Sequence, residues 1–119
     1  RISLALEVVS AGTLGVSTLV FDEVDSGIGG GIAEIVGRRL SDIAGKRQVL
    51  CVTHLPQVAS QGLHHFRIYK LTDGKTTRTN VRILKSKERV DELSRMLGGV
   101  EITDTTRAHA EEMVQRANH

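Results

Sequence analysis

Ser17-Thr18-Leu19-Val20-Phe21-Asp22-Glu23 and, further along, Gln48-Val49-Leu50-Cys51-Val52-Thr53-His54 are the two stretches that decide the fold. Each is a short β-branched and apolar run without polar alternation, as expected for a strand covered on both faces in a parallel sheet. Each also ends in side chains able to do chemistry. Between them the glycine-rich turn Asp25-Ser26-Gly27-Ile28-Gly29-Gly30-Gly31 leads into a helical pattern. That pattern sets Ile32, Ile35, Val36 and Leu40 on one face, turns Arg38, Arg39 and Asp42 to solvent, and stops at Gly45. Strand, helix and strand within about 35 residues form a right-handed parallel crossover.

Working outward, Ile2, Ala5, Leu6 and Val9 keep helical spacing up to Gly12, the expected tail of a helix that begins upstream. The chain opens on Arg1 rather than methionine and reads as a piece of something longer. Downstream, Pro56 starts a short helix that Gly62 closes. Residues 64–71 and 76–84 read as two strands joined through Thr72-Asp73-Gly74-Lys75, where Asp-Gly favours a tight turn. In the second of them Val81 and Ile83 share one face and Arg78, Asn80 and Arg82 the other, so a half-buried strand is expected. Ser86 is the expected cap of a helix carrying Val90, Leu93 and Leu97 and ended by Gly98-Gly99. A last helix from about Thr103 aligns Thr106, Ala110, Met113 and Ala117. The fold class is thus α/β: parallel strands with flanking helices, a β-hairpin and two C-terminal helices, with residues 1–119 forming one lobe.

Composition narrows the function classes. The 119 residues hold 16 basic and 14 acidic side chains, 39% apolar residues, three aromatics, one proline and one cysteine. A modest core is possible, and disorder is not expected. Cys51 cannot form an internal disulfide and suits a reducing compartment. No apolar stretch approaches the roughly 20 residues of a helical membrane span and no export signal is seen, so the expectation is a cytoplasmic protein without a membrane partner. Charge is uneven: residues 67–89 carry eight Lys/Arg against Asp73 and Glu88, leaving +6, while the remainder is −4. A local basic surface is therefore worth considering, with Arg78, Arg82 and Lys85 the possible DNA contacts through phosphate. A solvated basic face is the competing reading, and the scarcity of aromatics disfavours single-strand recognition.

Open parallel sheets place their sites beyond the carboxyl ends of their strands, where Asp22-Glu23 and His54 should be neighbours. Adjacent carboxylates there can divide labour, one holding a hydrated Mg²⁺ through its water shell and the other orienting or deprotonating a water. Carboxylates that merely cap the next turn and a structural histidine are the plainer readings of each residue alone. The set is more specific: Asp25 follows, and the glycines after it allow close backbone approach. His64-His65 lack partners at metal-ligand spacing.

At these residues the chain resembles a known family. Thr18-Leu19-Val20-Phe21-Asp22-Glu23 is similar to a Walker B strand, Asp25-Ser26-Gly27 to a D-loop, and Val52-Thr53-His54 to the switch-histidine motif of ATP-binding-cassette ATPases. Within that superfamily Phe21–Gly30, Cys51–Ala59 and Glu92-Leu93-Ser94-Arg95-Met96-Leu97-Gly98-Gly99 resemble the RecN family of SMC-like bacterial repair ATPases, so the likeness spans nearly the whole chain. It implies the C-terminal lobe of a P-loop ATPase head, acting in double-strand-break repair by recombination. Two such heads would sandwich ATP, and a coiled coil would join the halves of each. By the same resemblance Asp22 would hold the Mg²⁺ shell, Glu23 would act on the hydrolytic water, His54 would meet the γ-phosphate, and Asp25, with Ser26 and Gly27, would reach across the head dimer. The implied partners are the N-terminal lobe of the same head, a second head joined by ATP-dependent dimerisation, and double-stranded DNA with ends, in a nucleoid-associated protein.

The phosphate-cradling Gly-x-x-x-x-Gly-Lys-Ser/Thr has no match in these residues, nor does Leu-Ser-Gly-Gly-Glu, which Arg1 resembles the sequel of. ATP and Mg²⁺ would both require the missing N-terminal lobe, and the segment alone is expected to be inactive. The rival readings are a lobe of another cassette ATPase, such as a transporter subunit or a different SMC-like protein, and a non-catalytic module binding DNA or protein through residues 67–89.

Overall fold

The computed structural model describes residues 17–22 and 27–117. The expected helix tail over 1–11 lies outside them. Strand β1 (Thr18–Asp22) is followed by helix α1 (Gly30–Ala44), strand β2 (Gln48–Val52), the short helix α2 (Pro56–Ala59), strands β3 (Phe66–Thr72) and β4 (Thr77–Ile83), and helices α3 (Ser86–Gly98) and α4 (Asp104–Ala117). β1 and β2 pair in parallel, with Phe21 opposite Cys51 and Asp22 opposite Val52, and β3 and β4 pair antiparallel. The expected α/β lobe, crossover, hairpin and helix pair are all present.

The core lies on one side of the parallel pair. Phe21, Ala33, Leu40 and Val58 are buried together, with Leu19, Ile28, Val36, Val49, Cys51 and Leu55 packed around them. The other side is bare: Val20 is 67% exposed, and Leu50 and Val52 about half. Coverage of both faces, expected from the unbroken apolar runs, is therefore corrected to coverage of one. An apolar run reports that two faces await cover, and this chain's described elements supply one layer.

Helix α1 buries Ala33, Gly37 and Leu40, whereas Ile32 and Ile35 stand exposed. The expected face was rotated toward the large residues. What decides the contact is close approach: a Cβ built on Gly37 would lie 2.8 Å from Gln61 Cγ and 3.2 Å from the Gln57 carbonyl oxygen. Only a glycine lets α1 sit this near α2. Gly45 ends α1 in right-handed backbone, its N–H donating to the Asp42 carbonyl at 3.2 Å while the Lys46 N–H donates to that of Ile43 at 3.1 Å.

The hairpin turns through Asp73, whose carboxylate accepts the N–H groups of Lys75 and Thr76 at 3.0 and 2.8 Å, while Gly74 adopts φ +91°. These bonds hold the Asp73 carboxyl below its usual pKa. The expected half-buried β4 is exposed instead, Val81 at 62% and Ile83 at 52%, with Phe66 and Ile68 opposite them equally bare. Ser86 is the first helical residue rather than the cap. Lys85 holds the cap position, and its N–H donates to Glu88 Oε1 at 3.3 Å. Helix α3 buries Glu92, Leu93 and Ser94, and Ala110 of α4 is fully buried. Gly99, at φ +71°, ends α3, and Thr103 Oγ1 caps α4 by accepting the Thr106 N–H at 3.1 Å.

Candidate functional site

Two side chains predicted to act together are brought to one sheet edge. In the parallel register Asp22 pairs with Val52, so the last residue of β1 stands two positions short of His54 on the neighbouring strand's exit. Both residues are exposed. Phe21 beneath Asp22 is buried in the core and fixes the strand's facing, so that alternation sends Asp22 outward. Glu23, Asp25 and Ser26 lie outside the described residues. Gly27 is described, exposed and at φ +76°, a backbone conformation that glycine adopts without the cost of a Cβ.

The chain carrying His54 is pinned from several sides. Thr53 Oγ1 accepts the Leu55 N–H at 3.0 Å across the bend at His54. Pro56 then opens α2 at its first turn, where the missing N–H costs nothing, and is itself buried. Val58 inserts into the core beside Phe21, Ala33 and Leu40. At the far end of α2 the guanidinium of Arg89, from α3, reaches the carbonyls of Ala59 and Ser60, both at 3.1 Å, and that of Gly62.

As for Mg²⁺, the exposed Asp22 carboxylate is a hard oxygen donor and fits a partner of the ion's water shell. Among the described residues no three His, Cys, Asp or Glu side chains gather as a complete ligand set.

The possible DNA contacts separate. Arg78 and Lys85 are exposed, whereas Arg82 is ion-paired to Glu88. Arg89, counted in the basic stretch, faces inward: burial lowers its pKa, and its Nη2 group serves backbone carbonyls. Sequence reasoning missed a buried polar joint behind the hairpin. Glu92, 7% exposed, accepts from Arg95 Nε at 2.9 Å and lies 3.5 Å from Arg67 Nε. Burial works to raise the Glu92 carboxyl, but the hydrogen bonds and charge of Arg95, with Arg67 and His65, outweigh it and hold it below its usual value. His65 is held below 6.5 by burial and by Arg89, against the pull of Glu92. The signal available was an acidic residue amid the apolar positions of α3.

No protein-family model matches this chain. Curated relatives are clear. The chain is 52% identical over 117 residues to a DNA repair protein RecN of Streptomyces coelicolor, covering 98% of this chain and 20% of that protein. It is 49% identical over 115 residues to one of Xylella fastidiosa (97% and 21%) and 41% identical over 119 residues to one of Bacillus subtilis (99% and 20%). The chain therefore spans about a fifth of the length of these relatives. Among solved structures, a chain from work on "ATP-driven dimerization and DNA stimulated activation of SMC ATPases" aligns with a TM-score of 0.69 at 13% identity, over 83% of this chain and 59% of the other.

Proposed function

Since this chain is a RecN-like segment with the fold of an SMC ATPase head, we propose that it is the C-terminal lobe of such a head and supplies half of an ATP-hydrolysing site. The observation that carries this is the parallel register that brings Asp22 to the edge from which His54 departs. Asp22 serves the water shell of Mg²⁺. Glu23 is the general base or orienting group for the attacking water, and His54 contacts the γ-phosphate. When bound, Mg²⁺ supplies charge neutralisation of the phosphates. Asp25, Ser26 and Gly27 reach toward a second head. The phosphate cradle comes from the N-terminal lobe, so these 119 residues neither bind ATP tightly nor hydrolyse it alone.

The whole protein acts in the bacterial cytoplasm, associated with the nucleoid. It couples ATP-dependent head dimerisation to repair of double-stranded DNA ends. Arg78 and Lys85 are its candidate phosphate contacts on this lobe, with Arg82 already spent on Glu88. The test is Glu23→Gln in the full-length protein. ATP binding should persist and steady-state turnover should fall by about a hundredfold or more, leaving heads engaged. Normal turnover in that variant removes Glu23 from its role.

A further inference from the structure

We propose that Arg89 is a positioning residue for the hydrolytic site, acting through α2 to hold the segment that carries His54; this rests on the ATPase reading given above. The Nη2 amino group of Arg89 lies 3.1 Å from the carbonyl oxygens of Ala59 and Ser60 and also bonds that of Gly62. An amino group with two N–H bonds serving three carbonyls must share at least one of them, so the geometry tolerates little displacement. The carbonyls lie at the end of α2, where backbone acceptors run short of helical donors, and that of Ala59 also accepts the Gly62 N–H at 3.2 Å. A guanidinium brought from another element is one of the few side chains that can satisfy several together.

The chain between this clasp and the sheet edge is short and already restrained. Val58 is locked in the core, Pro56 is buried, and Thr53 closes the bend at His54. Arg89, which belongs to α3, holds the far end of this segment by its backbone carbonyls. Behind it α3 is anchored by the fully buried Leu93 and by Glu92 with its arginine partners. A displacement of α3 is thereby transmitted to α2, and through four residues of helix to His54. Burial depresses the charged form of Arg89, as it should for a group surrounded by protein rather than solvent. A lysine cannot reproduce the clasp, because its ammonium ends one bond short of the place where Arg89 Nη2 meets the three carbonyls.

The experiment compares Arg89→Ala, Arg89→Lys, His54→Ala and the Arg89→Lys/His54→Ala double variant in the full-length protein. ATP affinity, single-turnover hydrolysis and amide hydrogen exchange are read for each. The expected result for both Arg89 variants is at least about tenfold slower hydrolysis with ATP affinity within about twofold. Exchange should also quicken at Ser60, Gln61 and Gly62, whose N–H groups bond Pro56, Val58 and Ala59 carbonyls at 2.9 to 3.2 Å. With His54 already removed, Arg89→Lys should slow hydrolysis no further. Should Arg89→Ala fail to fold, Arg89→Lys carries the test. An equal slowing in both backgrounds, or unchanged exchange over 60–62, overturns the positioning role while leaving the ATPase reading intact. Unchanged hydrolysis in His54→Ala overturns the reading beneath it, and the proposal with it.

Discussion

At the sheet edge Asp22 and His54 stand exposed, on strands whose outer face of Val20, Leu50 and Val52 is also bare. Behind the hairpin the arrangement is reversed: Glu92 is buried and held by Arg95 and Arg67, and Leu93 and Ala110 are fully enclosed. The first region keeps reactive groups and apolar surface available to something outside the described residues. The second satisfies its own polar groups and closes its own core. Stability and chemistry are thus carried by different ends of one lobe, and substitutions should separate them.

The largest stability effect should come from Leu93→Ala. Its side chain, on α3, is fully buried, so truncation should cost about 2 to 5 kcal/mol in lost transfer energy and cavity formation. Val20→Ala, on the bare face, should change stability by about 0.5 kcal/mol or less. Urea titration of both variants measures the difference; equal losses would mean that the outer face of β1 is packed after all. Glycines sharpen the same contrast within one helix. Gly37→Ala gains helix propensity of about 0.5 to 1 kcal/mol but drives a methyl against Gln61 and the Gln57 carbonyl, a clash of about 1 to 3 kcal/mol, so a net loss near 1 kcal/mol is expected. Gly31→Ala meets nothing within 4 Å and should stabilise by about 0.5 to 1 kcal/mol.

The buried joint should also write itself into the pH dependence. The Glu92 carboxyl is depressed in the fold, so its contribution is present above the ordinary carboxylate pKa and lost as pH falls through the folded value. His65 is depressed as well. Below about pH 6.5 the unfolded chain takes up a proton that the fold resists, and stability begins to decline there. His65→Gln should flatten the stability curve between pH 7 and the carboxylate range. Glu92→Gln should remove part of the acid limb and cost about 1 to 2 kcal/mol at neutral pH, the partner arginines being half exposed. Denaturant midpoints against pH distinguish these outcomes from a joint that contributes nothing.

How much of this was legible beforehand follows from what each residue signals. The crossover was readable because apolar runs bounded by glycine and charge leave few alternatives, and the site edge followed from where those runs stop at Asp22 and His54. The facing of α1 was not, since periodicity ranks Ile32 and Ile35 above Gly37, while the packing turned on where a Cβ could not fit. Likewise the bare faces of β1 and β4 carry the composition of covered strands, because a sequence records the need for cover and not which polypeptide provides it. Arg89 read as surface charge, since its partners are backbone carbonyls, which no side-chain pattern marks.

The smallest expected effect concerns the basic face. Arg82 and Glu88 form a pair that is 61% and 32% exposed, so breaking it should shift stability by about 0.5 kcal/mol or less. Its consequence for DNA is sharper than its energy. A cation already neutralised releases few counterions when it meets a phosphate, whereas the exposed Arg78 lacks that ion pair. In the full-length protein, Arg78→Ala should therefore reduce the slope of log affinity for duplex DNA against log salt by about one unit, and Arg82→Ala by clearly less. Glu88→Gln, by releasing Arg82, should steepen it. Equal slopes for the two arginine variants would mean that Glu88 gives up Arg82 on the duplex, and the division between a self-satisfied joint and an available edge would then run through the hairpin rather than beside it.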